Sequence, residues 1–224
     1  MAEIIKSLNE LSLDGYTIFY GRQLMAAAMF SSKDESRPIL NAVQMVVKDD
    51  RITLAATDSY RLGMFTIANV LAHQDDATFL IDVESVKQSK LLSSRPAWDR
   101  ICGIKEGKDD YTYDFIAGKA VLDGAAIAYP GSTTIRKVEG NFPQCKQLLD
   151  GNGAKPNEGR GPLMNAHYVA DIISAFDLAF STKDGMCVVE TMHGGDLEPI
   201  TFHGWNQIGD MDGEGVALLM PIRR

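Results

Sequence analysis

Thr17-Ile18-Phe19-Tyr20 runs without a break into Gly21-Arg22-Gln23-Leu24-Met25-Ala26-Ala27-Ala28-Met29. The first four residues are largely of the β-branched and aromatic types that strands favour. The next nine place Leu24, Met25, Ala28 and Met29 at the i, i+1, i+4, i+5 spacing of an amphipathic helix. Apolar, β-branched runs follow at Ile39 to Val47 and Arg51 to Thr57, separated by Lys48-Asp49-Asp50, which has the length and polarity of a hairpin loop. Tyr60 to Ile67 supplies one more strand. A strand, a helix and about three antiparallel strands therefore form one unit.

The same order recurs twice, at intervals of roughly 60 to 80 residues. The strand Thr78 to Asp82 leads into a helix near Val83, and strands are expected at Arg100 to Lys105, Thr112 to Ile116, Ala120 to Tyr129 and Ser132 to Val138. Tyr-Pro-Gly is read as the break between the last two. After Pro162-Leu163-Met164 the clearest helix puts Val169, Ile172, Ile173, Phe176 and Phe180 on one stripe, followed by strands at Met186 to Met192, Pro199 to His203 and Val216 to Ile222. The fold class is thus α+β, built from one repeated supersecondary unit. Asp150 to Gly161, with four glycines, a proline and no bulky apolar side chain, reads as a linker. The expected organisation is an N-terminal segment at 1–16, a complete two-unit domain at 17–149, a linker at 150–161 and a half-domain at 162–224.

Composition narrows the function. The 224 residues are 45% hydrophobic and 23% charged, which excludes bulk disorder. The apolar run Leu24 to Phe30 is far short of the ~18 residues a membrane span needs, and the first residues lack a signal-peptide pattern. A net charge of -8 excludes a protein that coats nucleic acid with its whole surface, though a local basic stripe is compatible with it. Cys102, Cys145 and Cys187 form no Cys-x-x-Cys pair and read as reduced thiols of a cytoplasmic protein. His193, His203, Cys187, Glu190 and Asp196 have the wrong spacing for a closed zinc site, and no nucleophile-elbow, zincin or dinucleotide motif occurs. Asp58 reads as a turn residue ahead of Ser59. No catalytic residue, metal or cofactor is expected, so the chain is read as a non-enzyme.

Three segments carry a resemblance when taken in order: Ala56-Thr57-Asp58-Ser59-Tyr60-Arg61-Leu62-Gly63, Glu139-Gly140-Asn141-Phe142-Pro143-Gln144, and the terminal Leu219-Met220-Pro221-Ile222-Arg223-Arg224. They resemble the Ala-Thr-Asp-Gly-His-Arg-Leu strand end, the Gly-x-Phe-Pro-Asp-Tyr turn and the Met-Pro-Met-Arg terminus of the bacterial DNA polymerase III beta subunit, the sliding clamp. Arg37-Pro38-Ile39-Leu40 and Met164-Asn165-Ala166-His167-Tyr168 are similar to further family segments. The resemblance implies the DNA-clamp fold. It also implies a DNA replication accessory role without catalysis, in which polymerase subunits or other proteins dock a short peptide in a hydrophobic pocket.

Carried over by motif, the pocket wall would be Leu40, Thr57, Ser59, Tyr60, Arg61, Leu62, Pro143, Leu148, Met220, Pro221 and Ile222. Tyr60 stands where the family usually has His, and Gln147 where a basic residue is common. The resemblance further implies double-stranded DNA held through its phosphates without sequence readout. Arg22, Lys87, Lys90 and Arg95 near the first two helices are the candidate DNA-facing groups, while the third helix carries Asp171 and Asp177 and no Lys or Arg. Clamp family chains hold six such units and this one shows three, so a ring would need several copies, and a homo-oligomer is expected. The alternative is a soluble adaptor or decoy that captures clamp-binding peptides and does not encircle DNA.

Overall fold

The computed structural model describes residues 15–49, 51–68, 75–92, 100–119, 128–150, 162–180, 187–193, 198–206 and 213–222. The first unit holds strand β1 (Thr17–Tyr20), helix α1 (Gly21–Ala28), a 3₁₀ turn (Pro38–Asn41), and strands β2 (Ala42–Lys48), β3 (Arg51–Thr57) and β4 (Arg61–Ala68). The second holds β5 (Ala77–Asp82), α2 (Val83–Gln88), β6 (Ile101–Glu106), β7 (Thr112–Lys119) and β8 (Ala128–Arg136), and closes on the short helix α3 (Cys145–Asp150). The third holds α4 (Ala166–Phe180) and strands β9 (Cys187–His193), β10 (Ile200–Asn206) and β11 (Gly213–Leu219).

The first two units exchange their leading strands. β5 pairs antiparallel with β2, and β1 pairs antiparallel with β6, so each unit's sheet is completed by the strand that precedes the other unit's helix. This gives a four-stranded sheet, β1-β6-β7-β8, and a seven-stranded sheet, β5-β2-β3-β4-β11-β10-β9. The two sheets meet where Ile81 bridges Lys137 and Val138 N–H donates to Leu80 O at 3.0 Å. Beside that seam the Phe79 and Tyr113 rings pack edge to face at 5.3 Å, and Leu80 N–H donates to Tyr113 Oη at 3.1 Å. A partly buried backbone amide is thereby satisfied.

β4 and β11 pair along seven residues from Arg61↔Leu219 to Ile67↔Gly213. The larger sheet therefore runs across the boundary that sequence places at 150–161, a segment lying almost wholly outside the described residues. α1 and α4 lie side by side on one face of this sheet, tied where buried Gln23 Nε2 donates to Ala179 O at 3.3 Å. Their aromatic side chains sit over glycines: a Cβ on Gly63 would fall 2.5 Å from the Phe30 ring, and one on Gly215 would fall 2.8 Å from both Phe176 and Phe180. Phe65 packs against Phe30, Phe176 and Phe180 with ring centroids 5.8 to 6.0 Å apart, so one aromatic cluster joins the first unit to the third.

Three expectations change. Tyr129-Pro130-Gly131 does not end a strand, because all three lie inside β8. That strand is an edge of the four-stranded sheet, where a proline's missing N–H costs no ladder bond, and a register shift between Ala117 and Lys119 takes up the irregularity. Most of the expected strand at 120–129 falls outside the described residues. Residues 162–165, ahead of α4, form no strand; Leu163 O instead accepts from Ile222 N–H at 2.8 Å. Helix α3 was absent from the sequence reading, since six residues are too few to show a period.

Candidate functional site

The turn between β3 and β4 is built by its own side chains. Asp58 Oδ1 accepts from the N–H groups of Tyr60 and Arg61, each at 3.0 Å, in the manner expected of an Asp turn. Thr57 Oγ1 donates to Arg61 O at 2.8 Å and accepts from Ser59 N–H at 3.2 Å. Ser59 takes φ +80°, a left-handed conformation that glycine favours, and Arg37 Nη1 donates to its hydroxyl at 3.0 Å. The result projects Tyr60 outward at 61% exposure. Tyr60 O then accepts from Met220 N–H at 3.0 Å, which fastens the C-terminal tail beside the turn.

On the face of the larger sheet opposite α1 and α4 lies a second, smaller hydrophobic cluster. Leu62 and Leu218, paired across β4 and β11, join Ala55, and the segment through Phe142 and Cys145 covers them. Burial pushes the Cys145 thiol up to about 11. Around this base stand exposed apolar side chains: Tyr60, Leu148, Met220 and Ile222, the last three about half exposed. Pro143 and Pro221 are half-buried, and Leu40 and Thr57 are buried. Leu163 and Met164, 45% and 43% exposed, were not among the sequence candidates, yet the Ile222–Leu163 bond sets Leu163 against the C-terminal tail. The apolar Leu-Met pair directly after Pro162 was the available signal.

Arg61 does not share this face. Strand alternation sends Leu62 to one side and Arg61 to the other. There Arg61 Nε pairs with Asp58 at 3.0 Å and Nη1 with Asp171 of α4 at 2.5 Å, with the guanidinium 4.7 Å from the Tyr168 ring centroid. At 10% side-chain exposure it is a strut between the first and third units rather than a pocket wall.

The candidate DNA-facing groups are dispersed. α1 is buried over Gly21 and Gln23 to Ala28, which leaves Arg22 only half-buried. Lys87 and Lys90 are exposed at and just beyond the end of α2, a helix capped by Asp82 accepting from Glu84 N–H. Arg95 lies outside the described residues. An open recess of about 1220 Å³ between α1, α2 and the start of α4 includes Lys87 in its lining. Its five basic residues (Lys33, Arg61, Lys87, Arg136, Lys137) are matched by five acidic ones (Glu35, Asp82, Glu84, Glu139, Asp171), so it is no phosphate cradle. Among the described residues, no group of three or more His, Cys, Asp or Glu could hold a metal, and no helix is long and apolar enough to cross a membrane.

Two units with exchanged leading strands, the first joined to a third by the antiparallel pairing of β4 with β11, define a clamp-type fold. Solved sliding clamps share it. The beta subunit from DNA polymerase of Streptococcus pyogenes superposes with a TM-score of 0.62 at 17% identity, covering 94% of this chain and 66% of that one. The DNA polymerase sliding clamp of Bacillus subtilis gives 0.61 at 16% identity, covering 93% and 64%. Residues 22–98 match the family model described as DNA polymerase III beta subunit, central domain. The beta sliding clamp of Micrococcus luteus is 30% identical over 120 residues, 53% of this chain and 34% of the relative. The chain thus matches about a third of the length of this curated relative.

Proposed function

We propose that this chain is a sliding-clamp-like DNA polymerase accessory protein, non-enzymatic, whose outer-face site at the β4·β11 junction binds partner peptides. The observation that carries the reading is the junction itself. It brings the turn at Tyr60, the cover at Phe142 to Leu148 and the tail at Met220 to Ile222 around one apolar base, although they come from three distant parts of the chain. A peptide groove needs apolar depth for an anchor and polar backbone groups for register. Leu62, Leu218 and Phe142 supply the first, and the turn and tail supply the second. Met220 suits a rim that must accept different partners, because its thioether chain is flexible. Processivity would follow if several copies close around DNA and hold it by topology, with Lys87 and Lys90 toward the duplex.

Titration with a polymerase-derived clamp-binding peptide tests the pocket. Wild type should bind, and Met220→Glu, an exposed change that leaves the core intact, should weaken binding at least tenfold. Absence of wild-type binding, or equal binding by the variant, would remove the pocket. Encirclement is tested by retention on circular DNA, which linearisation should abolish and which the Lys87→Glu, Lys90→Glu double variant should weaken without changing peptide binding.

A further inference from the structure

The apolar base of the peptide site continues across the outer face of the larger sheet. Gly204 and Gly215 stand opposite each other on β10 and β11, and both meet the Phe176 ring of α4. Alternation therefore turns Trp205, Glu214, Val216 and Leu218 to the other face, the one that carries the site. Register extends the assignment to the neighbouring strands. Trp205 has Val188 on one side and Glu214 on the other, while Met64 stands beside Val216 as Leu62 stands beside Leu218. Leading away from buried Leu62 and Leu218 along β11, the face first presents half-buried Met64 and Val216. It then presents Trp205, 36% exposed, with half-buried Val188 next to it.

The far end of this stripe has the chemistry of a cation site. Glu214 lies directly opposite Trp205, with Cβ atoms about 5 Å apart, and Glu190 is its diagonal neighbour on β9 at roughly 7–8 Å. Both carboxylates are exposed. An indole ring between two carboxylates attracts an ammonium or guanidinium group through its quadrupole and through their charge. Nothing on the described part of the third unit competes for that place. Its described residues carry the carboxylates of Asp171, Asp177, Glu190, Glu198 and Glu214 and no Lys or Arg.

We propose that this stripe binds the stretch of a partner peptide next to its apolar anchor, with a lysine or arginine four residues from the anchor seated on Trp205. Continuity and spacing identify the occupant. Leu218 and Glu214 are four residues apart on β11, a distance of about 13 Å, and an extended peptide covers it in the same four residues. Its alternate side chains then fall first on Met64 and Val216 and next on Trp205. The first of these positions favours an apolar residue. The second, between Glu190 and Glu214, favours a cation. The inference rests on the peptide site proposed above and adds the chemistry of its partner: an anchor, an apolar residue two places on and a basic residue four places on.

Fluorescence anisotropy with three labelled peptides and the full chain tests it. The first is a polymerase-derived clamp-binding peptide. The second extends it with leucine two places and arginine four places from the anchor, and the third has glutamate in place of that arginine, each extension being made at either terminus. At one terminus the arginine extension should tighten wild-type binding roughly fivefold or more, and the glutamate peptide should lose that gain. Glu214→Lys should abolish the gain and leave the affinity for the unextended peptide unchanged. Trp205→Thr should do the same, with far-UV circular dichroism unaltered. The inference alone is overturned if the unextended peptide binds but arginine adds nothing at either terminus, if glutamate serves as well, or if the gain survives both substitutions. If no peptide binds, it falls together with the peptide site.

Discussion

Replacing Arg61 probes the joint between the first and third units. Its guanidinium lies between Asp58, 13% exposed, and Asp171, 46% exposed, and over the rings of Tyr168 at 4.7 Å and Phe30 at 5.7 Å. Removing one partner of a fully buried pair costs about 3–5 kcal/mol. Here the cost is smaller on both sides: Asp58 keeps its two backbone N–H donors, and water screens half-exposed Asp171. Loss of the cation–π contacts and the aliphatic stem adds on the order of 1 kcal/mol. Arg61→Ala should therefore lower unfolding stability by about 2–3 kcal/mol, or Tm by roughly 4–12 °C for a chain of this size. Arg61→Met, which keeps the stem, should lose less, and Asp171→Asn about 1 kcal/mol or less. Urea unfolding measures each, with the alanine–asparagine double variant giving the coupling. A loss under 0.5 kcal/mol for Arg61→Ala would refute the strut.

Gly215→Ala would force a methyl group to within 2.8 Å of Phe176 and Phe180 and 3.1 Å of Phe65, and should cost about 1–3 kcal/mol by calorimetry. For Cys145, whose thiol burial raises from 9.0 to about 11, alkylation of the native protein at pH 8 should run about a hundredfold slower than in the unfolded chain, as followed by mass spectrometry. The folded state holds that proton more tightly. Its contribution to stability is thus complete below pH 9 and lost as pH rises toward 11, an alkaline slope that Cys145→Ala should reduce.

The first unit and α4 were legible because their periods are long and clean: β1, β3 and α4 fall within a residue of the sequence reading. The turn chemistry of Asp58 was equally local. Pairing was not legible. Nothing in the pattern of Arg61 to Ala68 says that its outer edge meets β11, since alternation fixes which face is apolar and leaves the neighbour open. The same limit explains Arg61. By motif, beside Leu62, it belongs to a pocket, but consecutive residues of a strand face opposite ways, and the partner Asp171, over a hundred residues away, shows its task. Leu163 and Met164 were passed over because they precede a helix by sequence and adjoin the tail only in space.

The β4·β11 pairing also sets a schedule for the chain as it is made. β4 is complete roughly 150 residues before its neighbour, which at a synthesis rate of about 5–20 residues per second is an interval of about 8–30 seconds. Within it, once β5 to β8 have been made, the first two units can exchange their leading strands and close their own core. The outer edge of β4, the inner face at Phe65 and the Arg61 guanidinium, however, wait for α4 and β11 to leave the ribosome. The nascent chain is most open to wrong partners in that interval, at the very edge on which the peptide site is later assembled.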